Sequence, residues 1–141
     1  MGDWGTFRLS SEEPSGGPRK ILIADANQGF RGFMRQLLEK NQDLALVTEA
    51  TDGEGAVSVA RHLKPQVVLV DIDLPNAGGL ETTRRIKAEL PQTRVILLSA
   101  VDGNAYRDAA KSCGADAFLL KGVPVSEVLS VIRHGTPLSA A

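Results

Sequence analysis

Five polar residues stand where this sequence could do chemistry. Four of them close apolar runs: Asp25 after Ile21-Leu22-Ile23-Ala24, Asp71 after Val67-Val68-Leu69-Val70, Ser99 after Val95-Ile96-Leu97-Leu98, and Lys121 after Ala117-Phe118-Leu119-Leu120. The fifth, Asp73, follows Asp71 by two residues, and Pro75 then ends the run. If the strands are parallel, the four closing residues share one carboxyl edge, where open α/β sheets bind ligands. Two carboxylates there can share a divalent cation, and magnesium suits a site that keeps several waters and is completed by phosphate oxygens. A serine hydroxyl can donate to a phosphate oxygen, and a lysine brings positive charge to the same group. Such a set suits phosphoryl transfer onto a carboxylate, giving an acyl phosphate.

The elements that must position these groups are legible as an alternation. Runs as uniformly apolar as Val67–Val70 belong in a sheet covered on both faces. After the first strand, Phe30, Phe33, Met34, Leu37 and Leu38 recur at helical spacing. Leu44–Val47 reads as a second strand, and Asp52-Gly53 turns into a helix facing inward through Ala56, Val59, Ala60 and Leu63, stopped by Pro65. The third helix runs from about Leu80 to Leu90 with Leu80, Thr83, Ile86 and Leu90 inward. The fourth carries Tyr106, Ala109, Ala110 and Cys113 and is capped by Gly114. The last presents Val125, Val128, Leu129 and Ile132 and closes near Arg133. Five strands alternating with five helices predict an α/β, flavodoxin-like fold: a parallel sheet in the order 2-1-3-4-5 with helices on both faces.

With 141 residues the chain holds one compact domain. A 43% hydrophobic content with only 4% aromatics implies an aliphatic core. The net charge of −1 predicts no non-specific attraction to nucleic acid or to an anionic membrane. One cysteine excludes an internal disulfide and a cysteine zinc cluster, and Cys113 is expected in the core. No apolar run approaches the roughly 20 residues of a membrane span, no signal peptide is visible, and the expected compartment is the cytoplasm. Residues 1–18 are rich in Gly, Ser and Pro and read as a flexible tail, residues 19–134 as the domain, and 135–141 as a tail or the start of a linker. His62 and His134 suit helix ends, while Arg84, Arg85 and Lys87 read as a solvated helix face.

From about Lys20 to Arg133 the chain resembles the receiver domain of bacterial two-component response regulators. The resemblance rests on ILIAD at 21–25, VVLVDIDLP at 67–75, Gly79-Leu80-Glu81, VILLSA at 95–100 and GADAFLLKG at 114–122, taken in order and spacing. It is strongest to receivers that precede a helix-turn-helix output domain, although nothing after His134 could form a DNA-reading module. The resemblance implies Asp71 as phospho-acceptor, Asp25 as the first of an acidic pair, Ser99 as the switch hydroxyl, Phe118 as the switch aromatic and Lys121 as the phosphate-sensing lysine. It also implies a magnesium ion held by Asp25, Asp71 and the backbone carbonyl of Asp73. The expected partners are a histidine kinase or phosphotransfer protein, and a second copy through the surface of helix 4, strand 5 and helix 5.

One departure stands out. The family places two adjacent acids after the first strand, and here the second is Ala26. Its loss predicts a weakened magnesium site. The Asp73 carboxylate is either a compensating metal helper or a surface loop charge, since residues 71 and 73 point the same way in an extended segment. Three functions follow. The first is a phosphorylation switch with at most slow self-dephosphorylation. The second is an atypical receiver acting without phosphorylation as an interaction or dimerisation module. The third is a phosphatase using Asp71-Ile72-Asp73 as a DxD motif, which lacks a further acidic pair beyond Glu127. A dinucleotide site is excluded because the turn Asp25–Gly29 lacks the required glycines.

Overall fold

The computed structural model describes residues 17–135, so nearly all of the anticipated tail, with Trp4, Phe7 and Leu9, lies outside the described residues, as do 136–141. The strands are β1 (Arg19–Ala24), β2 (Leu44–Ala50), β3 (Val67–Asp71), β4 (Arg94–Ser99) and β5 (Ala117–Leu120). Between and after them run α1 (Gln28–Glu39), α2 (Gly53–Leu63), α3 (Gly78–Glu89), α4 (Asn104–Ser112) and α5 (Val125–His134). All strand pairs are parallel, in the order β2-β1-β3-β4-β5, the 2-1-3-4-5 arrangement expected.

Alternation along the strands divides the core into two layers. Leu22, Ala24, Val68, Val70, Val95 and Leu97 face Ala56, Val57, Ala60, Ile86 and Ala110 from α2, α3 and α4. Ile21, Ile23, Val67, Leu69, Ile96 and Leu98 face Met34, Leu37, Leu38, Val128, Val131 and Ile132 from α1 and α5. β1 and β3, which carry the acids, are therefore buried on both faces and offer little freedom to move.

Several expectations need correction. β2 extends to Ala50, three residues beyond the apolar run, because it pairs with β1 as far as Ala24. Phe33, Leu63, Tyr106 and Val125 lie at the margins of their helices' apolar faces and are exposed, whereas Val57, Thr82 and Val131 are buried. Lys87 is not a solvated charge. Its ammonium donates to the carbonyls of Pro91 and Thr93 and pairs with Asp116 at 2.8 Å, tying α3 to the loops around β4 and β5. Cys113 is buried as expected, and His62 and His134 fall in last helical turns.

Candidate functional site

The carboxyl edge of the sheet places Asp25 immediately after β1, Asp71 and Ser99 as the last residues of β3 and β4, and Lys121 immediately after β5. Ala24 pairs with Val70 and Asp71 with Leu98, so the two aspartates leave the sheet side by side. Asp25 is fully buried, a placement an ionised group tolerates only with compensation. Its Oδ1 accepts from the Asn27 backbone at 2.8 Å, and its backbone carbonyl accepts from Arg31 at 2.8 Å. Arg31 and Arg35 are fixed in turn on Glu49.

Lys121 supplies the positive charge. Its Nζ lies 2.7 Å from Asp25 Oδ2 and 3.4 Å from Asp71 Oδ1, bridging the acids. The contact to Asp25 is ionic and poorly aligned for hydrogen bonding, so Oδ2 is buried without a hydrogen-bond partner. Burial, then the neighbouring charge of Asp25, pushes the Asp71 carboxyl above the ordinary carboxylate range; Lys121 opposes this and Asp73 adds a little to it. A buried carboxylate that holds its proton more tightly than usual, beside a second acid and a lysine paired with both, marks a candidate functional site.

The structure does not gather every candidate. Asp73 is exposed in the turn after β3, and among the described residues no three acidic, imidazole or thiol groups converge to hold a metal. The Asp73 carboxylate is not gathered into one cluster with those of Asp25 and Asp71, and it reaches Asp71 as a small added charge. What fits magnesium is narrower: two carboxylates, one of whose buried oxygens makes no hydrogen bond and faces the Lys121 ammonium instead. Ser99 is 1% exposed, and its hydroxyl donates to the Val101 carbonyl at 2.6 Å while accepting from the Val101 amide at 3.0 Å. Phe118 is 7% exposed in the core beneath the Arg107 guanidinium, 4.9 Å from its ring centroid. Sequence reasoning missed Arg107, and also Phe30, whose ring lies 4.6 Å from Lys121 Nζ. Phe30 was legible only as one more apolar residue of α1.

A doubly wound parallel domain whose carboxyl edge holds two acids bridged by lysine belongs to the class of small open-sheet α/β domains. Residues 21–133 match the response regulator receiver domain family, and the chain belongs to it. It is 31% identical over 115 residues to the response regulator GacA of Pseudomonas aeruginosa, covering 82% of this chain and 54% of that protein. The chain thus spans about half the length of the curated relatives it matches. Among solved structures, the signal receiver domain of the putative response regulator NarL from Mycobacterium tuberculosis superposes with a TM-score of 0.76 at 30% identity, covering 84% of this chain and 98% of that one. A response regulator protein from Burkholderia pseudomallei, solved with a phosphorylated aspartic acid, calcium ion and citrate, superposes with a TM-score of 0.73 at 25% identity, covering 82% and 67%.

Proposed function

We propose that this domain is a phosphorylation-controlled switch in which Asp71 is the phospho-acceptor. The observation that carries this reading is the Lys121 ammonium bridging Asp25 and Asp71 at the carboxyl edge of the sheet. An Asp71 carboxylate oxygen attacks the phosphorus of a phosphohistidine on a partner kinase or phosphotransfer protein. The P–N bond breaks, the imidazole leaves with the electron pair, and an acyl phosphate forms on Asp71. Lys121, already 3.4 Å from that carboxylate, balances the added charge. Asp25 and Asp71, with the Asp73 backbone carbonyl, would hold magnesium, which supplies charge neutralisation on the transferring phosphoryl group when bound. With Ala26 at the neighbouring position the site has one ligand and one negative charge fewer, so magnesium binds weakly. Asp71 chemistry is stoichiometric, with turnover limited to slow hydrolysis of the acyl phosphate.

Incubation with labelled acetyl phosphate and magnesium tests the reading. Wild type acquires one label, Asp71→Asn acquires none, and Ala26→Asp labels faster at lower magnesium. Absence of label on wild type at any magnesium concentration, with label restored by Ala26→Asp, would instead establish a receiver that works as an interaction module without phosphorylation. Ala26 is the observation that favours this second reading.

A further inference from the structure

We infer that Phe30 is a positioning residue for Lys121, holding its ammonium between the two acids; the inference rests on the phospho-acceptor reading above. Lys121 follows the short strand β5 and is itself only partly buried. A four-carbon stem at such a place would otherwise let its charge swing into solvent, since two ionic contacts near a surface fix a lysine only loosely. Three groups surround Nζ: Asp25 Oδ2 at 2.7 Å, Asp71 Oδ1 at 3.4 Å and the Phe30 ring centroid at 4.6 Å. The ring lies beneath the ammonium and attracts the cation through its quadrupole.

Phe30 is held for this task by the same segment that carries Asp25. Asp25 Oδ1 accepts from the Asn27 amide at 2.8 Å, and Asn27 Oδ1 then caps α1 by accepting from the Phe30 amide at 2.7 Å. The site carboxylate, the cap and the ring are thus linked within six residues. Behind the ring, Phe30 packs on the α1–α5 layer of the core and against Phe33, with centroids 6.2 Å apart. Burial alone would be served by any apolar side chain at position 30. Only an aromatic one also restrains the ammonium.

The test compares Phe30→Leu, which keeps apolar bulk, with Phe30→Tyr, which keeps the ring. In wild type and Phe30→Tyr the Lys121 Hε resonances are shifted upfield by the ring current, and in Phe30→Leu they return to ordinary lysine values. Labelling by acetyl phosphate slows about fivefold in Phe30→Leu and stays near wild type in Phe30→Tyr. A merely structural role would also abolish the ring-current shift in Phe30→Leu, but would leave its labelling rate at the wild-type value and change stability alone. Wild-type labelling by Phe30→Leu, or unshifted Lys121 resonances in wild type, would overturn the inference while leaving Asp71 as acceptor. Wild type that takes no label at all removes the phospho-acceptor reading and this inference with it.

Discussion

Asp71 is asked to do two opposed things, to be ionised for attack and to sit in a buried pocket beside another acid. Burial and the Asp25 charge raise its proton affinity more than Lys121 lowers it. Its folded-state pKa therefore exceeds the unfolded one, and the native state binds more protons between the two values. Stability falls as pH rises through that window, and the cost is fully present above the raised folded-state value. Asp71→Asn keeps the shape and removes the charge, leaving Lys121 paired with Asp25 at 2.7 Å. The variant is predicted to melt roughly 2–5 °C above wild type at pH 7. That advantage shrinks as pH falls through the raised folded-state value and stops changing below the ordinary carboxylate value of 3.8. Thermal melts from pH 7 to pH 3 check this, and a lower melting temperature for Asp71→Asn at pH 7 contradicts it. The ion pair to Lys121 would then outweigh desolvation.

At the scale of elements, the site depends on how closely α3 approaches the end of β3. Gly79, in the first turn of α3, donates its amide to the Ile72 carbonyl at 3.1 Å, and a β-carbon there would collide with the Asp71 carbonyl oxygen and the Ile72 α-carbon. Those are backbone atoms of a strand exit packed on both sides, so they cannot yield cheaply. Gly79→Ala is predicted to cost about 2–4 kcal/mol and to slow Asp71 labelling by displacing its backbone. Two residues earlier the sign reverses. Ala77 has φ of 90°, a left-handed conformation costly for any residue with a β-carbon, so Ala77→Gly should stabilise by about 1 kcal/mol. Urea unfolding of the two variants checks both, and equal signs would refute the packing argument. The same division between local pattern and distant contact decides what the sequence makes legible. The strands and their polar exits were readable because a buried parallel strand needs a near-continuous apolar run, and a charge closing such a run must find a compensating partner. Helical periodicity located each apolar face but not its margins, which is why Phe33, Leu63, Tyr106 and Val125 emerge exposed. Lys87 and Phe30 were misjudged or undervalued because their partners, Asp116 and Lys121, are 29 and 91 residues away, beyond any local pattern.

Across the whole molecule, the question is how a charge on Asp71 reaches a surface that a partner can sense. The path on this side runs through the segment from Ser99 to Arg107. Ser99 holds the loop closed by two hydrogen bonds to Val101, and Asp102 pairs with Arg107, which covers Phe118. For the Ser99 hydroxyl to donate to a phosphoryl oxygen it must release the Val101 carbonyl. The neutral hydrogen bond given up contributes roughly 0.5–1.5 kcal/mol net, while one to a charged phosphoryl group is worth about 1.5–3 kcal/mol. Release of the Val101 carbonyl is unfavourable without a phosphoryl group and favourable with one, which is what a switch needs. Val101 and Tyr106 are already exposed apolar side chains on this segment, so freeing it changes the face formed by α4, β5 and α5. Phosphorylation, or beryllofluoride in its place, is predicted to speed amide exchange of residues 101–107 several-fold. Ser99→Ala should still accept label on Asp71 but lose that response, because its loop has no hydroxyl to withdraw. Hydrogen exchange on labelled and unlabelled protein decides the matter. Label on Asp71 with unchanged exchange at 101–107 would cut the link between the acid pocket and this face.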